Sequence, residues 1–306
     1  MRRVWRPLLA VVVMSAAISA CAKPARPAGF TAPPSATESA PASPSASASP
    51  SVSAKPSIKP SPSRKPSPRP TKTYTKTVAP GADTGTSAPS PAPTNDGVPT
   101  HGAGTFAIAG GTSEVVGTGT TLVKYQVELE QGITWGTIQP WTASGFASAV
   151  DGILSGERSW IASGQHPITD PDEQMTDASW AFQRVSDGTY SVRVRLATPD
   201  TVDKLCGSAG VQTQGVYSCR YGKNILINLR RWLKGATGFT DLTVYRSMVI
   251  NHETGHFLGF NHMKCPGSGQ LAPVMQTQTI ALEGCLPNPS PFTAEGVFVM
   301  GPWAPS

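Results

Sequence analysis

The run His252-Glu253-Thr254-Gly255-His256-Phe257-Leu258-Gly259-Phe260-Asn261-His262 constrains this chain more than any other feature. Residues four apart on a helix stand one above the other, so His252 and His256 can turn two imidazoles toward one point. Glu253 comes one residue later, at the edge of that face, where it can reach a water at the same point. Gly259 lets the chain leave the helix sharply, at a backbone angle other residues resist. The chain can then bring His262 back as a third imidazole. Three nitrogen ligands with an open fourth position are the pattern of a catalytic zinc site, not a closed structural one. The expectation is one Zn2+ per chain on His252, His256 and His262, with Glu253 as the base that takes a proton from water. The five fixed positions coincide by chance in roughly one chain in 10⁵ of this length. His101 and His166, the remaining histidines, read as a linker-end residue and a loop residue before Pro167.

The cysteines are Cys21, Cys206, Cys219, Cys265 and Cys285. With Cys21 set aside, four remain in a region that reads as exported, the even number expected of disulfides. Three pairings are possible. Cys206–Cys219 and Cys265–Cys285 are favoured, because each pair brackets a local loop. A Cys/His zinc site is the rival arrangement, and no CxxC spacing supports it.

At the histidine motif the sequence resembles the metzincins, zinc endopeptidases with HExxHxxGxxH and a methionine-containing turn below the metal. That resemblance implies a zincin-like α+β fold and a peptide or protein substrate. It makes Met275, in Pro273-Val274-Met275-Gln276, the methionine of the turn. The Cys265–Cys285 bridge would then close a loop with Met275 at its midpoint and staple the segment that supports His262. More closely, Asn251–His262, Cys265, Ala272-Pro273-Val274-Met275, Gly284-Cys285 and Pro287-Asn288 resemble a metzincin-like domain family of unassigned function, found in exported proteins of high-GC Gram-positive bacteria. The likeness covers roughly residues 105–303. Thr277 stands where some metzincins carry a zinc-touching Tyr, so that help is not expected. Metzincins also bind substrate as an extended strand along a sheet edge. Asn224–Trp232 is the candidate edge, with Arg230 and Arg231 turned outward.

The N-terminus carries Arg2, Arg3 and Arg6, then an uncharged apolar run from Pro7 to Ala20 that ends at Ile18-Ser19-Ala20-Cys21. The run is short for a bilayer span and reads as the apolar part of a signal peptide. The tetrapeptide resembles a bacterial lipobox, which implies lipidation of Cys21 and anchoring to the outer face of the cell membrane. Ordinary cleavage with secretion is the alternative. Residues 22–104 are Pro, Ser, Ala, Thr and Lys with few large apolar groups, so they cannot bury enough surface to fold. As extended polyproline such a stretch reaches at most roughly 250 Å, a stalk through a cell wall. Its scattered positive charge can contact anionic wall polymers, or simply belong to a passive spacer.

The net charge of +6 comes from the same split: the first hundred residues carry +9 and the remainder −3. The basic balance is therefore no sign of a nucleic-acid-binding domain, and no basic patch with interleaved aromatics occurs. The organisation expected is a signal peptide over 1–21, a linker over 22–104 and a catalytic domain over 105–306.

In that domain Val123, Tyr125, Val127 and Leu129 alternate with polar residues, a half-buried strand. A helix is expected over Gly145–Leu154 and a longer one over about Thr240–Leu258. Trp180–Val185 and Tyr190–Ala197 read as a strand pair around the turn Ser186-Asp187-Gly188. Val216–Arg220 and Asn224–Trp232 read as a second pair, and Thr293 as the start of a short helical turn. This is an α+β domain with a mixed sheet, an active-site helix and a short irregular C-terminal part. The function expected is zinc-dependent hydrolysis of peptide bonds at the cell surface. The alternatives are an amide hydrolase of wall peptides and a non-catalytic surface lipoprotein for binding or wall organisation. No G-x-S-x-G occurs to support a serine hydrolase.

Overall fold

A computed structural model describes residues 96–304 together with the backbone of residues 81–82. The signal segment with Cys21, and the rest of the linker up to residue 95, lie outside the described residues. The strands are β1 (Gly81–Ala82), β2 (Phe106–Ile108), β3 (Thr121–Glu130), β4 (Ile168–Asp170), β5 (Met175–Ala178), β6 (Trp180–Arg184), β7 (Val192–Ala197), β8 (Cys219–Tyr221) and β9 (Asn224–Asn228). The α-helices are α1 (Ala143–Leu154), α2 (Pro199–Gly207), α3 (Leu229–Lys234) and α4 (Leu242–Leu258). The architecture is α+β around a mixed sheet in the order β1-β8-β9-β7-β3-β2, with β6 also on β3.

The sheet separates two apolar layers. Val127 of β3, Val194 and Leu196 of β7, and Ile225 and Ile227 of β9 join the main core with Phe146 of α1 and Tyr245, Met248 and Val249 of α4. Leu226 points the other way, as alternation along a strand demands, into a small cluster with Val202, Cys206 and Cys219 under α2. Cys206 and Cys219 form a disulfide there, and Cys265 and Cys285 form the other.

The strand over Val123–Leu129 forms, but its polar side is buried as well. Glu128 pairs with Arg195 at 2.7 Å. Glu130 accepts bonds from the backbone N–H and the hydroxyl of Thr198 at 2.7 and 2.8 Å. Full pairing is what lets these carboxylates sit inside.

The segments Trp180–Arg184 and Val192–Ala197 do not pair with each other as a hairpin. Both run parallel to β3, β6 along its first half and β7 along its second. The local turn is real, but the partners lie some sixty residues back in sequence, where local pattern cannot show them. The pair across Gly222-Lys223 forms as β8 and β9, but the first strand is only Cys219–Tyr221, with Val216 in a turn before it and Tyr221 paired to Asn224. The second strand ends at Asn228, whose side chain accepts from Arg230 N–H at 2.9 Å and caps α3. Arg230 and Arg231 are therefore helical, and β9 lies inside the sheet between β8 and β7. Asn224–Trp232 is thus no edge. Thr293 opens a turn and not a helix.

Both long helices start where a side chain can cap them. Thr142 accepts from Gly145 N–H at the head of α1, and Asp241 from Thr243 N–H at the head of α4. The chain also joins the fold before residue 105. Val98 is buried, Asp96 pairs with Arg230, and Thr100 accepts from Asp200 N–H at 3.2 Å.

Candidate metal centre

α4 runs through the middle of the domain, and Val249 to Gly255 are buried side by side. A helix end in such a setting needs a defined stop. Gly259 supplies it with φ +110°, and its N–H reaches back to Gly255 O at 3.0 Å. The turn brings His262 beside His256. His256 Nε2 lies 3.1 Å from His252 Nε2 and 3.1 Å from His262 Nε2.

Each helical imidazole is oriented from behind. His252 Nδ1 donates to Val274 O at 2.8 Å, and His256 Nδ1 to Phe260 O at 2.9 Å. A carbonyl can only accept, so the proton is on Nδ1 and the lone pair on Nε2. Burial pushes the His252 pKa down to about 4, against a smaller upward pull from the Val274 carbonyl. The His256 pKa is driven well below the ordinary value by burial first, then by its neighbours His252 and His262. Both rings are thus neutral near pH 7, the form that binds a metal. Ligand nitrogens about 2.0–2.1 Å from a tetrahedral zinc stand roughly 3.3 Å apart. The spacing found here fits that donor set. Neutral nitrogens facing one another so closely also gain from a cation between them.

Glu253 is fully buried beside this cluster. Met275 is buried too, with its sulfur against Gly255 of α4. A Cβ on Gly255 would collide with Met275 Sδ and lie 2.8 Å from Trp160 Cζ2. Trp160 is fixed in turn, its indole N–H donating to Asn251 O at 2.9 Å and its ring stacking on Phe260 at 4.9 Å. The irregular tail is held by buried amides. Gln278 Nε2 donates to Pro273 O at 3.1 Å and Asn288 O at 2.9 Å, and Asn288 Nδ2 to Ala272 O at 2.8 Å. Met263 N–H donates to Met275 O at 3.0 Å, tying the chain after His262 to the methionine turn.

The structure thus brings together His252, His256, His262, Glu253, Gly259 and Met275 as the sequence arranges them. His101 Nδ1 meets the Asp200 carboxylate at the surface, and His166 lies beside Phe292. Two supporting groups were not legible in the sequence. Glu173 accepts from Asn261 Nδ2 at 2.9 Å and steadies the loop to His262. Arg220, on β8, acts electrostatically on both Glu253 and His256. Neither has a motif of its own, since each reaches the site from a distant element.

A family model described as "Protein of unknown function (DUF3152)" matches residues 92–286. No curated protein and no solved structure matched the chain.

Proposed function

The chain belongs to the DUF3152 family of proteins of unknown function, and from its own residues we propose that it hydrolyses peptide bonds, with one zinc ion held by His252, His256 and His262 in a metzincin-like site. The observation that carries this reading is the intact Glu253, buried beside three converging imidazoles. A purely structural metal site needs no carboxylate in that place. Zinc held there would polarise a substrate carbonyl and bring the pKa of a water toward ~7. Glu253 takes the proton from the attacking water and passes it to the departing amine. His252 and His256 keep their orientation through Val274 and Phe260. The packing of Met275 and Trp160 below α4 keeps the histidines from shifting. The proposed setting is the outer face of the cell membrane, with Cys21 lipidated and the linker as a stalk.

Glu253→Gln tests the reading. It preserves shape and removes the base. Zinc content near one per chain and an unchanged melting temperature are expected, with hydrolysis of a diverse peptide set lower by roughly 10²–10⁴-fold. Equal cleavage by both proteins, or wild type without metal, overturns it. Full zinc with no cleavage of any peptide would favour the non-catalytic surface lipoprotein.

A further inference from the structure

β8 is short, and its residues alternate between two environments. Cys219 points into the small cluster under α2, and Tyr221 packs against that cluster as well. Arg220 therefore projects to the opposite face. Its register partner on β9 is Ile225, a member of the main core that α4 covers. β8 and α4 are in contact. An arginine on this face is costly, because its neighbours are mostly apolar and its charge is partly desolvated. Its Nε is buried and meets no hydrogen-bond partner among the described residues. Burial holds the guanidinium below its ordinary value, and the carboxylate of Glu253 pulls it part of the way back.

A structural arginine in such a place normally has its donors satisfied. An arginine with a buried donor left over, on the sheet face that α4 covers, is poised for an anion that arrives from outside. We propose that Arg220 is the anion-receiving group of the candidate centre. Its guanidinium binds a negatively charged oxygen of the substrate next to the three histidines, either the tetrahedral oxygen formed during attack or a terminal carboxylate. This inference rests on the reading of the histidine cluster as a substrate site. It adds a preference for substrates that place negative charge on the β8 side.

The test measures binding and not turnover. Methylphosphonate supplies a tetrahedral anion, acetate a planar one, and imidazole a neutral metal ligand. Each is titrated into zinc-loaded full-length protein by calorimetry, for wild type, Arg220→Gln and Arg220→Lys. A charge-assisted contact of this kind is expected to make methylphosphonate or acetate bind about 10- to 100-fold more weakly to Arg220→Gln, with Arg220→Lys between the two. Imidazole binding is expected to stay the same. Stronger dependence for methylphosphonate assigns Arg220 to the tetrahedral oxygen, and stronger dependence for acetate to a terminal carboxylate. Equal anion affinity in wild type and Arg220→Gln overturns the proposal, as does no anion binding by wild type. So does a variant that loses zinc or melts early yet binds anion unchanged per zinc-loaded molecule, the mark of a structural role. If wild type holds no zinc, the hydrolase reading fails, and the anion difference measured on the metal-free proteins still decides Arg220.

Discussion

The sulfur of Met275 fills the space that a side chain at Gly255 would need. Glycine inside a helix normally costs about 1 kcal/mol relative to alanine. Here the vacancy is what lets the methionine turn come up against α4 between the two histidines.

Gly255→Ala is therefore expected to destabilise, against its helix propensity. Met275 could give way, but the Trp160 ring behind it is held by Asn251 and Phe260. Overpacking of this kind costs about 1–3 kcal/mol, which leaves a net loss of about 1 kcal/mol, or ~2–4 °C in Tm. Weaker zinc retention should accompany it. A rise in Tm would show that the contact is slack.

The two helical histidines predict how the metal-free protein responds to acid. Their folded pKa values lie below the ordinary value of 6.5, at about 4 for His252. Below pH 6.5 the unfolded chain thus binds more protons than the folded one. Stability is fully present above pH 6.5 and declines as pH falls toward 4, where His252 begins to charge in the fold also. Melting curves of the metal-free protein between pH 7.5 and 4.5 should show this slope, lessened in His256→Asn. A flat profile would contradict the burial of neutral rings.

Breaking the Cys265–Cys285 pair should do more than lower stability. The bridge closes a loop of twenty residues in sequence, worth about 3 kcal/mol in chain entropy. It also spans the methionine turn. A Cys265→Ser/Cys285→Ser protein should melt lower and release zinc faster to a chelator. A Cys206→Ser/Cys219→Ser protein should melt lower with zinc release little changed, because that bridge lies under α2 on the other side of the sheet. Equal release from both would remove the tail from its supporting role.

The start of the folded unit can be tested by truncation. Gly104 N–H donates to Glu130 Oε1 at 2.9 Å, and Val98 and the Asp96–Arg230 pair lie further upstream. A chain beginning at residue 92 should melt several degrees above one beginning at residue 105. Equal melting temperatures would show that residues 92–104 contribute nothing to the fold.

The site was legible in the sequence because it is local. His252, Glu253, His256, Gly259 and His262 lie within eleven residues; helix periodicity brings His252 and His256 to one face, and the stop at Gly259 returns His262 to them. The disulfides were legible for a similar reason, each closing a short loop. The sheet was not, because β3, β6, β7 and β9 find one another across long stretches, and a turn such as Ser186-Asp187-Gly188 is the same whether the next strand returns or moves on. α2 and α3 are short, 9 and 6 residues, and offer too few turns for a helical period to stand out, although Pro199 in the first turn and Asn228 as a cap marked their starts. Arg220 gave no signal, since its meaning depends on which face of β8 meets α4.

The parallel pairing of β3 with β7, and of β7 with β9, also governs how the chain reaches this state. Neither contact can form as a local hairpin; each must wait for the segments between to be placed, and loops of that size close at an entropic cost. The central strands are complete only when Asn228 is available, and α4 packs on them later in sequence still. Until then β3 presents unsatisfied backbone groups on a 10-residue strand with one apolar face, the kind of surface that associates with other chains. The histidine cluster is thus assembled at the end of a slow, non-local folding reaction, during which the nascent domain is most open to capture by its own kind.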